Sequence, residues 1–269
     1  MERILALTID AAGCEAEAWL NGIAIVRVDA ARPRATLPVH EYTLAGNNRL
    51  ELVIDPRPAA SKHADDAMPL PKVSDGKTSA HLRVLLPRAG NSVDEGTARV
   101  LAELQWGPPA GHPYQVPHTQ SQVVALPVNF PRWRWMDAPV VNITPLLQQQ
   151  AARVLRQLTQ EISRGETAGF INAVRLRSEE LAAAYQMPSQ EVVAMLREYL
   201  AGLSSSGPLY WAALPNEGPV LRKMAGGRLL ECLDTTGEPA LRTAPDGAGT
   251  VHVFPMRFAA VEGKLYVLR

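Results

Sequence analysis

The hydrophobic pattern of this chain changes period near Asn142, and that change constrains its fold more than any other feature. Before it, short runs of apolar and polar residues alternate between turn signals, the period of two that strands require. After it, Leu147, Ala151, Val154, Leu158 and Ile162 recur at intervals of three and four, which places them in one stripe along a helix. Strands in one block and helices in the next indicate an α+β protein. The expected organisation is an antiparallel β-sandwich over residues 1–140, then a domain over 141–269 with helices within 144–203 and an antiparallel sheet within 208–269.

Within the first block, residues 4–9 (ILALTI) read as a strand. Asn21-Gly22 is a strong hairpin signal, since both residues tolerate positive φ, and Trp19-Leu20 and residues 23–28 would be its arms. Gly46-Asn47-Asn48 has turn chemistry; Leu50, Leu52 and Ile54 then alternate with Arg49, Glu51 and Val53, giving a strand with one buried face. Further strands are expected at 81–87, 97–106 and 121–128, with a turn at 90–96. Residues 55–79, with four prolines, and residues 107–118 read as long loops, because proline removes a ladder donor.

In the second block Thr144 is an expected N-cap, Pro145 the first helical residue and Gly165 the stop. Residues 166–178 continue the helical pattern with a break at Gly169. A helix at 178–187 ends at Pro188, and Ser189 caps another that carries Val193, Leu196 and Leu200 on one side. After a break at 204–207 the tail returns to strands (PLYWAAL, PVLRKM, GGRLLECL, TVHVFPMRFAAV, EGKLYVLR) and closes on a hairpin turning at Glu262-Gly263.

Charge narrows the function. Lys plus Arg and Asp plus Glu both number 27, so the chain lacks the excess positive charge of a polyanion binder, and direct nucleic-acid binding is not expected. No run approaches the length of a membrane span or a secretory signal, which leads to the expectation of a soluble, cytoplasmic protein. The two cysteines, Cys14 and Cys232, indicate neither a disulfide scaffold nor a complete zinc site.

Catalytic motifs are missing. The six histidines include no pair at the i, i+4 spacing of a helical metal site, and no G-x-S-x-G occurs. Gly226-Gly227 precedes strand-like residues, so it reads as a turn and not as a phosphate loop. Glu179-Glu180 opens a helix, where acids favour the helix dipole. Acids that meet only in space leave no signature in sequence. The expectation is a non-enzymatic protein without metal or cofactor.

The stretch NFPRWRWMD, residues 129–137, is the most unusual. As a strand it would place Trp133 and Trp135 on one face and Arg132 and Arg134 on the other. That arrangement fits a last sandwich strand with tryptophans in the core. It also fits an exposed Trp/Arg cluster, the residues most enriched among binding hot spots; a base-stacking surface fits less well, because nothing nearby supplies a wider basic groove. His112 and Tyr114 share a proline-rich loop. Trp133, Arg134, Trp135, His112 and Tyr114 are therefore the candidate partner contacts.

Three resemblances add to this. The pair AWLNG and LAGNNRLEL resembles the first strands of jelly-roll or C2-like sandwiches, which implies a fold type only; no cluster of calcium-ligating acids accompanies it, since Asp65 and Asp66 stand alone. The ending FAAVEGKLYVLR is similar to the closing hairpin of NTF2-like and cystatin-like domains. In overall character the chain resembles bacterial immunity proteins of the type VI secretion effector–immunity kind. That resemblance implies neutralisation of a cognate secreted toxin, for instance a nuclease, by direct binding. The alternative is a small-ligand or carbohydrate-binding module.

Overall fold

The computed structural model describes residues 4–56, 69–87, 96–205, 209–215 and 217–269. The fold is α+β with antiparallel sheets. The described residues up to Arg132 form one compact unit and those from Trp133 onward a second, so the boundary falls before the expected 140/141.

The first unit contains β1 (Ala6–Ala12), β2 (Ala16–Leu20), β3 (Ile23–Val28), β4 (Arg34–Pro38), β5 (Gly46–Ile54), β6 (Leu70–Val73), β7 (Ser79–Leu86), β8 (Arg99–Trp106), β9 (Pro113–Val116) and β10 (His118–Leu126). Two four-stranded sheets, ordered β4-β1-β7-β8 and β10-β5-β2-β3, enclose an aliphatic core. Leu7 and Ile9 on β1, Ala18 and Leu20 on β2, Leu50, Leu52 and Ile54 on β5, and Leu82 and Val84 on β7 supply it, each two residues from the next on its strand.

The Asn21-Gly22 turn forms as its sequence requires, with φ of 54° and 74°. The Asn21 amide nitrogen donates to the Tyr42 carbonyl and to Asn48 Oδ1, both at 2.8 Å, and Asn21 Oδ1 accepts from the Arg49 N–H at 2.9 Å. Gly46-Asn47-Asn48, expected as a turn, instead opens β5. Asn48 is buried there, because its side chain satisfies the Leu44 N–H (2.7 Å) and the Leu44 and Gly46 carbonyls (2.9 Å each).

Both expected loops conceal structure. Leu70–Val73 pairs with Pro113–Val116 in a two-stranded ribbon, β6-β9. Each strand carries a proline, which a two-stranded ribbon tolerates because each strand has an open edge. Residues 57–68 of the first expected loop, and most of the expected turn at 90–96, lie outside the described residues.

The second unit contains α1 (Pro145–Ser163), α2 (Ala168–Ala173), α3 (Arg175–Tyr185), α4 (Ser189–Ser205), β11 (Val220–Met224), β12 (Leu229–Leu233), β13 (Arg257–Val261) and β14 (Lys264–Val267). The Thr144 hydroxyl accepts the Leu147 N–H at 3.2 Å, and Pro145 occupies the first turn of α1. Gly169 lies inside α2; the break comes at Val174, where ψ turns to 12°. Gln186, at φ 52°, ends α3 in the left-handed conformation.

The tail forms an antiparallel sheet in chain order, β11-β12-β13-β14. The closing hairpin turns at Glu262-Gly263, with φ of 50° and 74°. The expected strand over PLYWAAL is reduced to a single bridge, Trp211 to Thr243, and TVHVFPMRFAAV becomes a strand only from Arg257. Ala151, Leu155, Leu158 and Ile162 of α1 pack with Leu230, Phe258 and Val267 in the core of this unit. No helix among the described residues is long and apolar enough to cross a membrane.

Candidate functional site

The candidate contacts fall in different units. Trp133, Arg134 and Trp135 belong to the second, and they do not form a strand: Arg134–Asp137 is a 3-10 turn. The Arg134 N–H, which a ladder would have used, donates instead to Glu180 Oε1 at 2.7 Å. Trp133 (1% exposed) and Trp135 (5%) are core, so neither presents a contact surface. The Arg269 guanidinium lies 5.3 Å above the Trp133 ring and pairs with Glu180. The Trp135 indole N–H is buried with no acceptor among the described residues, which costs about 1–3 kcal/mol that apolar packing must offset. Arg134 alone of the three reaches solvent, and its guanidinium pairs with Glu179 at 2.7 Å.

His112 and Tyr114 are brought together at the ribbon of the first unit. His112 is exposed, and its carbonyl accepts the Ser74 N–H at 3.0 Å. Tyr114 is half-buried, edge-on to Trp106 at 5.1 Å, and it sits opposite Lys72 on β6. Lys72 pairs with Asp55 at 2.6 Å, and this hydrogen bond pushes its ammonium above the usual lysine range. Nearby, burial first and the Asp55 carboxylate second push the Cys14 thiol up to about 11. Burial likewise pushes the Cys232 thiol upward. Neither thiol is thus prepared as a nucleophile. Among the described residues, no three His, Cys, Asp or Glu side chains gather as a metal site.

The feature with the form of a binding site was not among the candidates. It is an apolar groove of about 360 Å³ in the second unit, between α3, α4 and residues 253–255. Ligand pockets run from about 300 to 1,000 Å³ and are mostly apolar, with a few polar groups. Val174, Arg177, Ser178, Leu181 and Tyr185 line one wall, and Val192, Met195, Leu196 and Tyr199 line the other. Each set repeats at three and four residues, so each is one face of a helix. Phe254 forms part of the floor, edge-on to Phe170 at 5.5 Å.

The groove is open: Met195 (57% exposed), Tyr199 and Val253 stand at its mouth. Burial pushes the Tyr199 phenol upward, and its hydroxyl lies 3.0 Å from His252 Nδ1. Two methionines, Met187 and Met195, give the lining an adaptable surface. The sequence did carry a signal. Helix α4 is apolar over Val192, Val193, Met195, Leu196, Tyr199 and Leu200, a wider face than one core contact uses. Leu200 faces the core, while Val192, Met195 and Tyr199 face the groove.

The fold and the groove define an α+β protein with a sandwich unit and a helix-and-sheet unit that carries an apolar concavity. Comparison with protein-family models, with curated proteins and with solved structures finds no match.

Proposed function

We propose that the protein is a non-enzymatic binding protein that takes up a small apolar ligand in the groove between α3 and α4. The carrying observation is the groove itself: two apolar helix faces that diverge around about 360 Å³ and keep Met195 exposed at the mouth. An exposed apolar wall costs solubility, and burying it against a ligand removes that cost at about 25 cal/mol per Å². Titration with Nile red, a neutral probe, tests this. Saturable one-site binding is expected, weakened about tenfold or more by Met195→Glu, which brings a charge to the apolar mouth. Absence of binding, or binding that both Met195→Glu and Val192→Glu leave unchanged, would refute the proposal.

A second reading keeps the toxin-neutralising role, with a secreted bacterial toxin of the type VI kind as partner. One observation favours it: Leu70 (64% exposed) and Val73 (69%) stand on β6, an edge strand, beside His112 and Tyr114. Open strand edges accept an extended segment of another protein. In this reading the protein co-purifies with the product of the adjacent gene, and Val73→Lys abolishes the complex. No complex on co-expression would end it.

A further inference from the structure

The rings around the groove point to the class of its ligand. Four of its fourteen described lining residues, Phe170, Tyr185, Tyr199 and Phe254, are aromatic, whereas aromatic residues make up 6% of the chain. Two more, Met187 and Met195, carry thioethers, which pack favourably against ring edges. Rings and sulfurs therefore take a larger share of this surface than apolar bulk alone requires. The rings also form one series. Phe254 is its centre: Phe170 meets it edge-on at 5.5 Å and 74°, Trp211 at 5.8 Å and 48°, and Tyr199 at 6.1 Å and 53°. His252 continues the series from Tyr199, at 6.0 Å and 66°. Every contact is tilted or edge-on, within the range of about 4.5–7 Å over which ring quadrupoles attract. The series reaches the groove mouth at Tyr199, which is 45% exposed. Its hydroxyl, 3.0 Å from His252 Nδ1, holds that ring in place, so it offers a fixed partner to one more ring.

We propose that the groove binds a planar aromatic molecule, whose ring enters between α3 and α4, meets Tyr199 and Phe254 edge-on or tilted, and is flanked by the Met187 and Met195 thioethers. This rests on the apolar-ligand reading above and narrows it to ring compounds. Each tilted ring pair adds about twofold to tenfold in affinity beyond the apolar area it buries. A cation over these rings would meet no acidic side chain among the described lining residues, so a neutral ring is the better occupant.

Naphthalene-2-methanol and its decahydro analogue share one carbon skeleton and one hydroxyl and differ in aromaticity, so calorimetric titration of the full chain with each tests the ring itself. The saturated molecule has the larger apolar surface, and area alone favours it. The aromatic one is nevertheless expected to bind about fivefold tighter. Tyr199→Leu should cut that preference about threefold or more and leave the affinity for the decahydro analogue within about twofold. Tyr199→Phe, which keeps the ring, should retain the preference. Equal or tighter binding of the decahydro analogue by the unmodified protein, a comparison that needs no variant to fold, would overturn the aromatic assignment and leave the apolar groove standing. A preference that survives Tyr199→Leu in full, or that Tyr199→Phe also abolishes, would overturn it as well. If neither ligand binds, the apolar-ligand reading falls with it.

Discussion

The two units solve the problem of a core in different ways. The first encloses aliphatic side chains between two sheets, and its ion pairs, such as Arg27–Glu15 and Lys72–Asp55, sit at partly exposed positions. The second buries charge. Glu180 pairs with Arg269, Glu231 with Arg257 and Arg222, and Asp234 with Arg242, beside two buried tryptophans. Many small transfers of apolar surface stabilise a core redundantly, whereas a buried pair fails when one partner is removed. The groove belongs to the second unit, whose helices reach their neighbours over part of their apolar faces and leave the rest open.

This contrast can be broken by substitution. The largest effect should come from Glu180→Ala, which strands Arg269 as a buried, unpaired cation; a loss of about 3–5 kcal/mol is expected in urea unfolding followed by tryptophan fluorescence. Leu52→Ala in the sandwich should cost about 2–5 kcal/mol, by cavity formation. A larger loss at Leu52 than at Glu180 would reverse the comparison.

Acid should act on the second unit. Burial pushes the Asp234 carboxyl upward, but hydrogen bonds from Thr236 and Arg242 outweigh it and hold the group below its ordinary value. Its contribution is therefore complete above the unfolded value near 4 and is lost as pH falls through the lower folded value. Asp234→Asn should flatten the stability profile below about pH 4, as measured by thermal melts across that range. The smallest effect belongs to Arg134→Ala: its ion pair with Glu179 is exposed, and about 0–1 kcal/mol is expected.

Legibility followed the same division. The Asn21-Gly22 and Glu262-Gly263 hairpins, the Leu50-Leu52-Ile54 alternation and the Thr144 cap could be read directly, because each depends on residues close in sequence. The ribbon β6-β9 escaped because its prolines resemble loop chemistry and its pairing joins residues far apart. NFPRWRWMD read as a strand from its alternation. The turn it adopts depends on the Glu180 carboxylate, 46 residues further on. The groove left only half a signal, the wide apolar face of α4. Its other wall comes from Val174 and α3, whose Leu181 and Tyr185 are interspersed with the charged residues that tie the helix down.

The most direct test of the groove as the functional site is a titration of the protein with 1-octanol followed by backbone amide resonances. The account predicts saturable shifts concentrated at residues 170–199 and 253–255, with the sandwich unit unaffected. Shifts concentrated in the sandwich unit, or none that saturate, would contradict it.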